Sequence, residues 1–306
     1  MRILLAVLFA LTLIACSQPE TTTHAPAPAV PAAPQTTPPS PEPAALPAGF
    51  AEILASQPEG VKARYEYRHP NETVEFFGIT PGMTVVEVLP GSGWYSKLLL
   101  PLLGVDGELI GANYATDMWP RFGMFPQERL TELQTWVDDW PKQAEQWRHE
   151  QDADISAFVF GALPGRMQGT ADAVLFFRAL HNMARFEDDG AYLSQAISNA
   201  YDVLKPGGIV GIVQHKAREN MPDAWANGST GYLKESYVTQ MMTTGGFELM
   251  GASDINANNR DQPTTDDIVW RLPPSLQASG DDAEHKAQMI NIGESNRMTL
   301  KFRKPI

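Results

Sequence analysis

Residues 83–93 read MTVVEVLPGSG, and the fold follows from that stretch. Its first seven residues form a short apolar run rich in β-branched side chains, the pattern of a strand buried on both faces. Pro90, Gly91, Ser92 and Gly93 stop the strand and turn the chain. Residues 94–103 then read as a helix, which makes the unit strand–turn–helix. Working outward, the same alternation recurs. Residues 107–112 (GELIGA), 155–160, 171–177 (ADAVLFF) and 208–213 (GIVGIV) read as further strands, and 247–253 and 297–302 as late ones. Residues 190–204 and 235–243 have helical patterning. Within 128–148, Leu133, Trp136, Trp140, Ala144 and Trp147 recur three and four apart, which predicts an amphipathic helical stretch divided at Pro141. Residues 70–78 carry Val74, Phe76 and Phe77 ahead of a Thr80-Pro81-Gly82 turn. Strands alternating with helices predict an α/β protein with a doubly wound parallel sheet, whose ligands bind at the carboxyl ends of the strands near the switch point.

The chain has 306 residues, 43% of them hydrophobic and 19% charged, which is enough apolar mass for a substantial core. Asp and Glu number 36 against 23 Lys and Arg, and a net charge of −13 opposes a phosphate backbone, so nucleic acid is excluded as a partner. A single cysteine, Cys16, permits neither an intramolecular disulfide nor a cysteine zinc site. Asp152, Asp154, Asp266 and Asp267 match no metal-cage spacing and read as solvated charge, so no metal is expected. No G-x-S-x-G nucleophile motif occurs.

The amino terminus carries its own message. Arg2 precedes an apolar run over residues 3–14 that only Thr12 interrupts, too short to span a bilayer but right for the core of a signal peptide. The run ends Leu13-Ile14-Ala15-Cys16, which resembles the bacterial lipobox. That resemblance implies cleavage after residue 15, a diacylglycerol-bearing Cys16 and a protein held at a membrane surface rather than spanning it. Ser17 stands where an inner-membrane retention signal places Asp, which favours the outer membrane facing the periplasm. Residues 17–47 hold ten prolines among Ala, Thr and Ser and no aromatic residue, a composition that predicts a disordered, semi-stiff tether. The expected organisation is a signal peptide over 1–15, the lipidated cysteine and tether over 16–47, and one folded domain over 48–306.

The loop after the first strand places an acid, Glu87, just ahead of Gly91 and Gly93. Glycines there let the backbone approach a ligand, and the helix that follows offers free N–H donors. A tight structural turn has the same sequence. With LKPGG at 204–208, ADAVLF at 171–176 and GFEL at 246–249, the chain resembles the class I S-adenosylmethionine-dependent methyltransferases. EVLPGSGWYS (87–96), FRALHN (177–182) and VWRLPPSL (269–276) are similar to a little-characterised bacterial group of that family. The resemblance covers residues 70–255. It implies a Rossmann-like, mostly parallel sheet with a late antiparallel strand, and S-adenosylmethionine as cofactor. It also implies cofactor-binding roles for Glu87, Gly91, Ser92 and Gly93, and for Asn113 and Tyr114 at the end of the second strand. Two positions depart from the family: Leu89 stands where its first glycine is usual, and Asn113 stands near where an acid usually meets the ribose hydroxyls.

Methyl transfer needs an aligned nucleophile and in some cases a general base. His181, just past the fourth strand beside Arg178 and Asn182, is the candidate base or substrate-positioning group; the bland alternative is a histidine satisfied by a local backbone carbonyl. His215, past the fifth strand near Lys216 and Arg218, is the second candidate. Tyr95 and the tryptophans Trp136, Trp140 and Trp147 read as packing, with a contact to cofactor and a lid as the alternatives. Two functions follow: a methyltransferase of a small molecule or envelope component, or a non-catalytic ligand-binding or scaffolding lipoprotein that keeps the fold.

Overall fold

A computed structural model describes residues 49–277 and 282–306. The signal peptide, Cys16 and the tether lie outside the described residues, and residues 49–306 belong to one compact unit. The strands are β1 Thr84–Val88, β2 Glu108–Asn113, β3 Asp154–Val159, β4 Ala171–Phe177, β5 Leu204–Ala217, β6 Leu233–Lys234, β7 Glu248–Ser253 and β8 Arg297–Arg303. Seven of them form a sheet in the order β3-β2-β1-β4-β5-β8-β7, and β6 pairs with the far end of β5. Strands β1 to β5 are parallel, while β8 runs antiparallel to both β5 and β7.

Both faces of the sheet are covered, and side-chain alternation sorts the core in two. Val86, Val88, Ile110, Val174 and Phe176 pack on one face, against the helix Tyr192–Val203. Val85, Leu109, Ala173, Leu175 and Phe177 pack on the other, against Leu98, Leu99 and Leu103 of the helix Ser96–Leu103. Burial on two faces is why these strands read as continuous apolar runs. The chain order reverses between β1 and β4, so the residues that follow Val88 and Phe177 emerge side by side at the switch point.

The sequence LKPGG forms the irregular start of β5 rather than a separate turn before it: Gly207 takes φ +80° and the pairing with β4 shifts register there. Asp172 fastens this corner, accepting from the Thr84 N–H at 2.9 Å and from Lys205 Nζ at 2.6 Å. The stretch after residue 126 does form two helices, Gln127–Gln134 and Trp136–Ala144, but they part at Thr135 and Pro141 lies inside the second. The stacked Trp136 and Trp140 and the buried Ala144 hold that helix through the proline, which removes one backbone hydrogen bond. The apolar residues of 70–78 form the helix Pro70–Phe77, VWRLPPSL holds a cis Pro273–Pro274 bond, and the helix Phe50–Ser56 has no signal in the sequence pattern. No helix among the described residues is long and apolar enough to cross a membrane.

Candidate active site

The loop after β1 keeps a glycine-like path at a residue that is not glycine. Leu89 has φ +52°, followed by Gly91 at +56° and Gly93 at +76°. For a leucine that conformation costs about 1–2 kcal/mol. It is held by the Leu89 N–H donating to Ala112 O at 2.8 Å. The two glycines serve different ends. At Gly91 an added Cβ meets nothing closer than 3.9 Å, so the surface there stays open. At Gly93 a Cβ would come within 2.2 Å of the Trp147 ring, so this glycine makes room for a tryptophan.

Glu87 turns away from the opening. On the face of β1 that packs against the helix Ser96–Leu103, and 3% exposed, it accepts a 2.6 Å hydrogen bond from Ser96 Oγ at the start of that helix. Burial pushes its pKa up to about 7, and the serine only partly offsets that. Tyr114 is likewise internal, its hydroxyl donating to Ala179 O at 2.8 Å and accepting from Asn182 Nδ2 at 3.1 Å. Tyr95 stacks on Phe177 with ring centroids 3.6 Å apart, joining the loop to the end of β4.

A first cavity of about 670 Å³ opens over this loop. Leu89, Pro90, Gly91, Ser92 and Asn113 form one wall, and Trp119, Leu133 and Trp136 form another. Glu132 and Asp139 stand at its rim. Asn113 lines the cavity, and its Oδ1 accepts from the Tyr114 N–H at 2.8 Å, which fixes the amide. The tryptophan stripe divides its labour: Trp136 lines the cavity, Trp140 is buried over Gly111, and Trp147 covers Gly93.

A second cavity, of about 330 Å³, shares Leu89 with the first. It brings together all three residues expected to carry chemistry, Arg178, His181 and His215, with Phe177, Trp270, Pro273, Glu294 and Ser295. The histidine rings stand 5.4 Å apart. His181 Nδ1 lies 3.4 Å from Gln214 Oε1 rather than against a backbone carbonyl. Because Gln214 Nε2 donates to Gly231 O, its Oε1 faces the ring, so the His181 proton sits on Nδ1 and the lone pair on Nε2. Burial foremost, with the Arg178 charge adding to it, drives the His181 pKa down to about 4. His215 Nδ1 is 2.5 Å from Ser295 Oγ, and burial, then His181 and the arginines, hold it well below its ordinary value. Both rings are neutral at pH 7.

Glu294 anchors the floor. Its carboxylate is 3% exposed and meets Arg64, Arg68 Nε at 3.3 Å, Arg297 Nη1 at 3.0 Å and Arg178 Nη1 at 3.9 Å. The four arginines outweigh its own burial and hold its pKa below the usual carboxylate range. Sequence reasoning missed this cluster, since no local pattern joins residues 64–68 to 294–297.

The other flagged residues stand apart. Lys216 pairs with Glu235, and Arg218 with Gln262 and the Pro263 carbonyl. Asp152 corrects an expectation: it is buried, not solvated, because it caps the His149 N–H at 2.9 Å. Asp267 pairs with Arg271 at 3.0 Å. Among the described residues no group of three or more His, Cys, Asp or Glu is placed to hold a metal ion.

By sequence the chain matches no known family and no curated protein. By structure it is similar to the [4+2]-cyclase SpnF, at 18% identity over 78% of this chain and 80% of that one, with a TM-score of 0.50. It also aligns with a SAM-dependent methyltransferase from Aquifex aeolicus, at 18% identity over 68% and 93% of the two chains and a TM-score of 0.45. An arsenic(III) S-adenosylmethionine methyltransferase from Chlamydomonas reinhardtii aligns at 16% identity over 85% and 74%, with a TM-score of 0.42. The fold is Rossmann-like: a mostly parallel sheet, helices on both faces and late antiparallel strands.

Proposed function

We propose that this protein is an S-adenosylmethionine-dependent methyltransferase acting on a small molecule or an envelope component. The observation that carries the reading is the meeting of two cavities at Leu89, on the switch point of the sheet. The larger is roomy enough for a nucleoside with its amino-acid arm. Its open Gly91 surface and the Asn113 amide fit a hydroxyl-rich group, while Trp119, Leu133 and Trp136 offer flat apolar faces to a base. Bound S-adenosylmethionine would supply a sulfonium methyl group. Glu87 fixes the loop through Ser96 and supports the cofactor site from within the fold.

The smaller cavity then takes the methyl acceptor. Phe177 and Trp270 give it apolar walls, and His181 offers a neutral Nε2 lone pair. With its pKa at about 4, His181 orients an acceptor hydrogen more readily than it removes a proton. The test is calorimetric titration of S-adenosylmethionine and S-adenosylhomocysteine into the protein. Micromolar binding, about −8 kcal/mol, that is lost in Gly91→Arg supports the reading. No heat at millimolar ligand with folded protein refutes it. Turnover that survives His181→Ala removes that residue from the mechanism.

The inward turn of Glu87 and the amide in place of an acid after β2 favour the second reading, a ligand-binding or scaffolding protein without catalysis. Cofactor binding without methyl transfer to any acceptor would select it. The lipobox adds a place: Cys16 carries lipid, and the domain is held at the outer membrane, facing the periplasm. Palmitate labelling of the wild type that disappears in Cys16→Ala supports this, and no label on either refutes it.

A further inference from the structure

Beneath the smaller cavity, one carboxylate faces four guanidinium groups. Glu294 meets Arg64, Arg68, Arg178 and Arg297, which leaves three positive charges uncompensated. Among the described residues Arg68, Arg178 and Arg297 form no ion pair with a carboxylate other than Glu294. In a chain of net charge −13 that concentration is conspicuous. Three of the four have partners. Arg64 and Arg68 bind Glu294, and Arg68 also lies 4.5 Å over the Trp94 ring. Arg297 binds Glu294 and the Tyr67 carbonyl, with its buried Nε left over.

Arg178 is different. Among the described residues its guanidinium makes no hydrogen bond, stands 3.9 Å from Glu294, and lines the cavity. Its backbone is held in place, with φ +58° and the N–H bonded to Val213 O at 2.7 Å. A half-buried guanidinium with its fork free, lining the cavity inside an excess of positive charge, matches the planar oxyanion of a carboxylate. Around it, Phe177, Trp270, Leu272 and Pro273 present an apolar wall.

We propose that the smaller cavity binds a small carboxylic acid, with Arg178 gripping the carboxylate and Phe177, Trp270 and Pro273 enclosing an apolar body. Calling that acid the methyl acceptor rests on the function proposed above; its binding does not.

The test is calorimetry on the full chain at pH 7, with benzoate and phenylacetate, their neutral amides, and inorganic phosphate, each with and without saturating S-adenosylhomocysteine. At least one acid binds about tenfold or more tighter than its amide, the effect of a charge-assisted pair. The preference falls to about twofold or less in Arg178→Gln and is partly retained in Arg178→Lys. Acid and amide binding equally in the wild type would overturn the proposal without any variant. So would phosphate binding where neither acid does, or a preference that survives Arg178→Gln. Acids displaced by S-adenosylhomocysteine would show that the arginines read the cofactor's own carboxylate, which also overturns it. Acid preference without any S-adenosylhomocysteine binding sustains this inference and removes the methyltransferase reading alone.

Discussion

The two cavities that meet at Leu89 are built in opposite ways. The larger is mostly local: one loop, the end of β2, and two short helices joined at Thr135. Its character is apolar and aromatic, and its charges sit at an exposed rim. The smaller is assembled from the ends of β1, β4 and β5 and the segments around residues 269–275 and 294–295, with charge at its base. A cavity of the first kind rests on backbone conformation and flat side chains. One of the second kind rests on a charge balance that a single carboxylate maintains.

The sharpest break in that contrast is therefore at Glu294. Glu294→Gln leaves a buried arginine cluster without its counter-charge and should cost about 3–5 kcal/mol in denaturant unfolding. Glu132→Gln, at the exposed rim of the larger cavity, should fall within about 0.5 kcal/mol. Equal effects would erase the distinction. Next comes Gly93→Ala, which combines φ +76° with a Cβ inside the Trp147 ring; the loss should be about 2–3 kcal/mol in the same assay. Gly91→Ala meets only the backbone cost, about 1–2 kcal/mol.

The pH dependence separates the regions by sign. His181 titrates at about 4 in the fold against 6.5 ordinarily, so the unfolded chain binds its proton first and stability falls as pH drops below 6.5. Glu87 titrates at about 7 against 4.5, so the fold holds the proton longer and its contribution is lost as pH rises above 4.5 toward 7. Melting temperatures should show Glu87→Gln gaining on the wild type at pH 8 but not at pH 4, and His181→Gln gaining at pH 5 but not at pH 8. On ligand binding rather than folding, Asn113→Ala should weaken S-adenosylhomocysteine binding by about 0.5–1.5 kcal/mol in calorimetry and leave benzoate binding unchanged.

What the sequence disclosed divides along the same line. Strands β1 to β5 were legible because burial on both faces writes an apolar run, and the glycine loop because a turn needs glycine where it bends. His181, Arg178 and His215 were singled out by their position past strand ends, and the structure brings them into one cavity. The roles of Glu87 and Tyr114 were not legible, because alternation along a strand decides which face a residue takes and both turned inward. The meeting of Arg64 and Arg68 with Glu294 left no signal, since 230 and 226 residues separate them along the chain. Trp136 answered to both readings, because a helix over the carboxyl edge of a sheet packs and lines at once.

Cofactor and acceptor are proposed to lie on either side of Leu89. The most direct test is a crystal structure of the protein with S-adenosylhomocysteine. The nucleoside should lie against Gly91 and Asn113, with the sulfur beside Leu89 and facing the cavity of Arg178 and His181. A nucleoside seated elsewhere, or an empty loop at millimolar ligand, would contradict the claim.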